Sequence, residues 1–172
     1  ARTSPDKGRA GVTCFIIDTD MPGFHVRRIV HTLRSTHYAT ELQFEDLRVP
    51  AENILGKVDG GFSIANERLT RNRIPYAAAC LGVAMRAQDM AIEYVKIRET
   101  FGDLLATRQT VQNMLIDNEM DIRTARWLTL AAAHKADQGE PFRTEAAMAK
   151  IAATEAGGRV VDVELNPLVY NS

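Results

Sequence analysis

The 172-residue chain has two cysteines, Cys14 and Cys80, and a single tryptophan, Trp127. Two thiols, one in an expected strand and one in an expected helix, exclude a disulfide scaffold and fit reduced, packed side chains. No stretch approaches the roughly 20 consecutive apolar residues that a bilayer-spanning helix needs. Ala1 to Arg9 lacks the apolar core of a secretory leader, so it does not read as a signal peptide. An excess of one charge is missing too. Against 21 basic residues stand 22 acidic ones, net −1, which gives no electrostatic footprint for nucleic acid or an anionic membrane. His25, His31 and His37 have neither the spacing nor the cysteine or carboxylate neighbours of a zinc or facial-triad site, so no metal is expected. What remains is ordinary: 45% hydrophobic and 25% charged residues exclude disorder and suffice for one domain or two small ones.

Two periodicities divide the chain. Ala1 to Ala10 is polar and turn-forming, and Gly11 to Asp18 is a β-branched and aromatic run that predicts a strand. Asp20 to Gly23 predicts a turn, Phe24 to Val30 a second strand, and Glu41 to Val49 a third whose imperfect alternation leaves its register open. Pro50 ends it, since proline cannot donate to a ladder. Lys57 to Gly61 is a linker, after which the apolar period changes from two to about three and a half. The predicted pieces are therefore a β part over 1–59 and a helical part over 60–172.

The first helical stripe runs through Phe62, Ala65, Leu69, Arg73, Ala77, Cys80, Leu81, Ala84, Met85, Gln88, Ala91, Ile92 and Val95. Pro75 predicts a kink or break between Arg71 and Pro75. Gly102 reads as the C-terminal cap, with Arg98 as the cation of the last turn. Leu104 to Thr107 is too short for a helix. A second helix is predicted from Arg108 to Asp137, burying Val111, Met114, Leu115, Asn118, Ile122, Ala125, Leu128, Ala132 and Ala133, and stopped by Gly139-Glu140-Pro141. Thr144 then reads as the N-cap of a third helix over Glu145 to Asp162, with Met148, Ile151, Ala152, Glu155 and Val160 along one side. Three long helices with short connections predict an antiparallel bundle.

Arg98-Glu99-Thr100-Phe101-Gly102, Leu104-Leu105 and Gln109-Thr110-Val111-Gln112 resemble the R-x-T-F-G…L…Q-x-x-Q segment of the acyl-CoA dehydrogenase flavoproteins. Thr13 to Asp18 with Pro22-Gly23, and Glu41 to Gly56, resemble the end of that family's middle β-domain. Gly60-Gly61-Phe62, Arg73, Leu81 to Ala84 and Glu145 to Lys150 resemble its C-terminal helical domain in the same order. The likeness extends from Gly11 to about Val161. It implies a mixed fold: a short antiparallel β segment from a barrel- or sandwich-like domain, then an antiparallel helical bundle.

The resemblance also implies FAD, with Arg98, Thr100, Phe101, Leu105, Arg108, Gln109 and Gln112 on the cofactor side. Arg98 is the choice for the pyrophosphate, because a planar guanidinium fork meets such oxygens better than an ammonium does. Thr100 could donate a hydroxyl, Phe101 pack on a ring, and Gln109 bond the adenosine or pyrophosphate from a helix's first turn. In relatives these groups reach a flavin held by the neighbouring subunit, which implies a homo-oligomer, a dimer or tetramer. Thr70, Arg71, Asn72 and Arg73 fall beside the family's thioester substrate, and Arg34 near a loop arginine of relatives. On the residues alone, Arg98 reads first as a helix-end cation, and Arg73 as a snorkelling or surface-paired one as readily as a substrate contact.

The implied reaction is α,β-dehydrogenation of an acyl-CoA, with a glutamate as base and an electron-transfer flavoprotein-like acceptor. The family's usual base lies in a later Y-E-G segment, beyond Ser172. Where some branches carry it, this chain has Asn72, whose amide cannot abstract a proton. The catalytic residue is thus unknown. Val163 to Ser172 does not resemble the family's continuation, and the N-terminal helical domain has no counterpart before Ala1, so the chain reads as a fragment. Family habit implies the bacterial cytoplasm or the mitochondrial matrix. The alternative is a catalytically silent helical oligomerisation module, which the alanine-rich, methionine-bearing helix faces would suit.

Overall fold

The computed structural model describes residues 1–32 and 39–169, with side chains as far as 162. Arg34 and His37 lie outside the described residues. The chain divides into two compact units, Ala1–Glu67 and Arg68–Ser172.

In the first unit Pro5–Gly11 is wound into 3-10 turns, Val12 makes isolated bridges to Arg2 and Gly60, and the expected strand from Gly11 to Asp18 shrinks to β1, Cys14–Phe15. Strand β1 pairs antiparallel with β4, Ile54–Leu55. The second ribbon is longer. Strand β2, Phe24–Val30, pairs with β3, Ala39–Phe44, in the register Phe24↔Phe44 to Val30↔Ala39, with a bulge between Val26 and Arg28. The third strand thus stops five residues before Val49, and Asp46, at φ 49°, turns the chain away. Among the described residues, no three His, Cys, Asp or Glu side chains are placed to hold a metal.

A polar knot ties this unit together at Asp59. Its carboxylate accepts bonds from Lys7 Nζ at 2.7 Å, Thr3 Oγ1 at 2.9 Å and Ser4 Oγ at 2.9 Å, while its own N–H donates to Thr13 Oγ1 at 2.8 Å. Those donors, Lys7 foremost, hold the Asp59 carboxyl below its ordinary range. Two residues on, a Cβ at Gly61 would stand 2.6 Å from the Cys14 amide nitrogen, so only glycine lets the next helix start against β1.

That helix, α1, runs without interruption over Gly61–Val95 and carries Pro75 inside it. Of the kink or break expected between Arg71 and Pro75, the break does not occur. Proline removes one backbone donor, and the turns on either side continue the ladder. Helix α2 spans Gln109–Asp137 and α3 spans Arg143–Val169, so α3 begins one residue before the expected Thr144 cap and continues past Asp162. Two ion pairs set the antiparallel register of α2 and α3: Lys135 Nζ with Glu145 Oε1 at 2.5 Å near one end, and Arg159 Nε with Asp121 Oδ2 at 2.7 Å further along.

The core of the second unit is built mainly from alanine. Ala77, Ala84, Ala132, Ala146, Ala149 and Ala153 are fully buried, with Leu81, Ile122 and Val160 as the larger members. Small side chains let helix axes approach closely. Several expected core residues are displaced outward by this: Leu69, Met85, Met148 and Ile151 are exposed, whereas Ala87, Ala146, Ala149 and Ala156 face inward; Phe62, in the first unit, is exposed as well. One polar bridge crosses the interior between α1 and α2. Gln88 Nε2 donates to the Leu115 carbonyl at 2.8 Å, and Asn118 Nδ2 donates to Gln88 Oε1 at 3.1 Å.

Candidate functional site

Helix α1 ends at Val95, three residues before Arg98, where the Ile97 and Arg98 N–H groups both fold back onto the Tyr94 carbonyl. Arg98 is therefore outside the helix, and Gly102 is not its cap. Instead β5, Glu99–Thr100, pairs antiparallel with β6, Asp103–Leu104, through a two-residue turn of Phe101 and Gly102. Both turn residues have positive φ, 53° and 81°, as the hairpin turn whose twist matches its strands requires. The mouth of the hairpin is closed by the Leu105 N–H donating to the Arg98 carbonyl at 2.8 Å. A 3-10 turn, Leu105–Thr107, then leads straight into α2.

This compact hairpin and helix start gather most of the expected cofactor residues. Thr100, Leu105 and Arg108 are half-buried, and Gln109 is exposed at the first position of α2. Gln112 is already engaged, its Nε2 donating to the Ala106 carbonyl at 2.8 Å. Arg108 is engaged as well, with Nη2 on the Thr100 carbonyl at 2.7 Å and 3.6 Å from Asp103 Oδ2. Arg98 differs. Its Nε is buried and has no hydrogen-bond partner, alone among the buried side-chain nitrogens and oxygens of the described residues. Leaving such a donor unsatisfied costs about 1–3 kcal/mol, more when the group is charged. An anionic oxygen supplied from outside the chain would satisfy it, so the donor set fits a phosphate-bearing cofactor.

Phe101 is fully exposed and sits in a left-handed conformation that bulky residues avoid. Phe101→Asn places Asn-Gly in the turn, the pair it favours, and sacrifices no packing within the chain. The substitution should raise stability by about 1 kcal/mol, the size of the strain it relieves, as read by urea unfolding. A loss of stability would mean that the ring packs on the chain in solution.

The expected substrate residues lie elsewhere. Thr70, Arg71, Asn72 and Arg73 stand on α1, with Asn72 and Arg71 exposed and Thr70 and Arg73 half-buried. Val95 is 22 residues after Arg73 on the same helix, which at 1.5 Å per residue is about 33 Å. Within one copy the two groups do not share a pocket. The hairpin itself was not anticipated; its one signal is the Phe-Gly pair between Glu99-Thr100 and Asp103-Leu104, the two-residue spacing of a hairpin turn.

Comparison with known proteins fits this arrangement. The family model described as acyl-CoA dehydrogenase, C-terminal domain, matches residues 59–165, more than half of the chain. The short-chain specific acyl-CoA dehydrogenase of Megasphaera elsdenii is 40% identical over 161 residues, covering 93% of this chain and 42% of that protein. The structure of butyryl-CoA dehydrogenase from Megasphaera elsdenii superposes with a TM-score of 0.93 at 38% identity, covering all of this chain and 45% of the other. A structure of PigA with FAD and proline superposes at 0.92 with 26% identity, over 96% of this chain and 44% of that one. The chain thus spans a little over two fifths of the length of each of these three relatives. A family model across α1, the hairpin, α2 and most of α3 shows that this chain belongs to the acyl-CoA dehydrogenase family.

Proposed function

We propose that this chain works as part of an FAD-dependent acyl-CoA dehydrogenase, and that its β5–β6 hairpin holds the pyrophosphate side of the flavin. The observation that carries this reading is the buried Nε of Arg98, a charged donor left without an acceptor inside the chain. Support comes from the superposing structures of PigA with FAD and proline and of butyryl-CoA dehydrogenase from Megasphaera elsdenii. Bound FAD would supply hydride acceptance from the β-carbon of an acyl thioester. The chain's own part is binding and orientation: Arg98 meets the charge, Thr100 and Gln109 offer hydrogen bonds beside it, and Phe101 presents a bare aromatic face.

Thr70, Arg71, Asn72 and Arg73 would line the thioester side, with Asn72 unable to act as base. Their separation of about 33 Å from the hairpin along α1 suits two different sites, each completed by another copy in a homodimer or homotetramer. Electrons would pass to an electron-transfer flavoprotein. A silent oligomerisation module is the second reading, favoured by the exposure of Trp127, Met120 and Ile151 on the bundle. Titrating FAD into the purified chain separates the two. Saturable quenching of flavin fluorescence is expected, and its absence, with concentration-dependent self-association in the ultracentrifuge, would leave the silent module.

A further inference from the structure

The side chain of Arg108 grips the hairpin's own backbone. Its Nη2 donates to the Thr100 carbonyl at 2.7 Å and lies 3.6 Å from the Asp103 carboxylate, so one guanidinium spans both strands of the hairpin directly beneath the Phe101-Gly102 turn. The rest of the residue is fixed too. Its N–H donates to the Leu105 carbonyl at 3.0 Å, and its carbonyl accepts the Gln112 N–H at 3.0 Å.

Helix-end chemistry argues against arginine at this position for any local reason. Arg108 is the N-cap of α2 and makes no side-chain capping bond. The position favours Ser, Thr, Asp or Asn, and a cation there opposes the positive end of the helix dipole. Two local preferences are thus given up where the guanidinium crosses to the hairpin. The turn it braces is strained at Phe101, and a strained turn persists only when its surroundings over-determine it.

The geometry points to Arg108 as a positioning residue: it latches the β5–β6 hairpin to the start of α2 and so sets where Thr100 and Phe101 are presented, without itself touching the cofactor. The latch stands on the contacts above; its effect on flavin rests on the function proposed for the hairpin. Two measurements test it. In the cofactor-free chain, Arg108→Ala should speed hydrogen exchange at the Leu105 and Thr100 amides at least tenfold while leaving amides inside α2 and α3 as slow as before. Arg108→Lys keeps a donor but not the fork, and should recover part of that protection. Unchanged exchange at Leu105 in Arg108→Ala overturns the latch.

The second measurement is FAD affinity at several salt concentrations. A residue that positions Thr100 and Phe101 lowers affinity several-fold in Arg108→Ala and leaves the salt dependence of the wild-type chain intact. A guanidinium on the pyrophosphate would flatten that dependence when removed, since screening acts on the charge contact itself, and such flattening overturns the positioning role. If the wild-type chain binds no FAD, the proposed function of the hairpin fails, and the exchange data still decide the latch.

Discussion

Arg98→Ala should weaken FAD binding by about 1.5–3 kcal/mol, the range for hydrogen bonds to charged groups, or roughly ten- to over a hundredfold in dissociation constant. The same substitution should cost the cofactor-free chain little, because it removes a buried donor that has no partner there. This pairing of effects is diagnostic. A helix-end cation would give the reverse, unchanged affinity with lower stability, and equal FAD affinity in mutant and parent returns Arg98 to that role. Arg98→Lys should fall between, keeping the charge but losing the planar fork that meets two oxygens. Flavin fluorescence titration supplies the affinities, and urea unfolding of the cofactor-free chains supplies the stabilities.

The motif around Arg98 was legible as a motif, but its local structure was not. Apolar periodicity through Val95 followed by an arginine and a glycine is what a capped helix end looks like in sequence. What overrode it was non-local. Leu105 returns to the Arg98 carbonyl and Arg108 reaches the Thr100 carbonyl, so the segment is closed by residues that periodicity assigns to the next element. The same limit explains α1. Pro75 is a strong local breaker, yet the helix crosses it, since a single missing donor is outweighed by packed turns such as those of Ala77 and Leu81 on the core side.

The helical part was otherwise readable because its elements are long. The end of α2 at Asp137 coincides with its Gly139-Glu140-Pro141 signal, and its start differs from expectation by one residue. Which residues are buried was read less well, for a physical reason. A scan for large apolar residues places Met85, Met148 and Ile151 inside, whereas close packing of three helices selects the alanines between them. In the β part, strand propensity over Gly11 to Asp18 was real, but its pairing is broken up: Val12 makes isolated bridges to Arg2 and Gly60, and a ladder forms with Ile54–Leu55 at Cys14–Phe15, so β1 is two residues long. Propensity describes what a segment can do; a ladder also needs a partner.

The alanine core makes one substitution unusually costly. Ile122 on α2 is 4% exposed and is one of the few large side chains in a cluster that includes Ala77, Ala84, Ala125, Ala149 and Ala153. Truncating a buried isoleucine to alanine typically costs 2–5 kcal/mol, transfer energy plus the cavity left behind, and the cavity share depends on how far neighbours can move in. Alanines cannot change rotamer to fill a void, and the helices that carry them are tied by Lys135–Glu145, Arg159–Asp121 and the Gln88–Asn118 bridge. Ile122→Ala should therefore fall in the upper half of that range and lower the melting temperature by about 7–20 °C, at roughly 2–4 °C per kcal/mol for a chain of this size. Ile122→Val, which removes one methylene, should cost only about 0.5–1.5 kcal/mol. Thermal unfolding followed by circular dichroism checks both. A small loss in Ile122→Ala would mean that the helices close around the void, and the bundle would then be held by its apolar volume rather than by the fixed spacing of its alanine contacts.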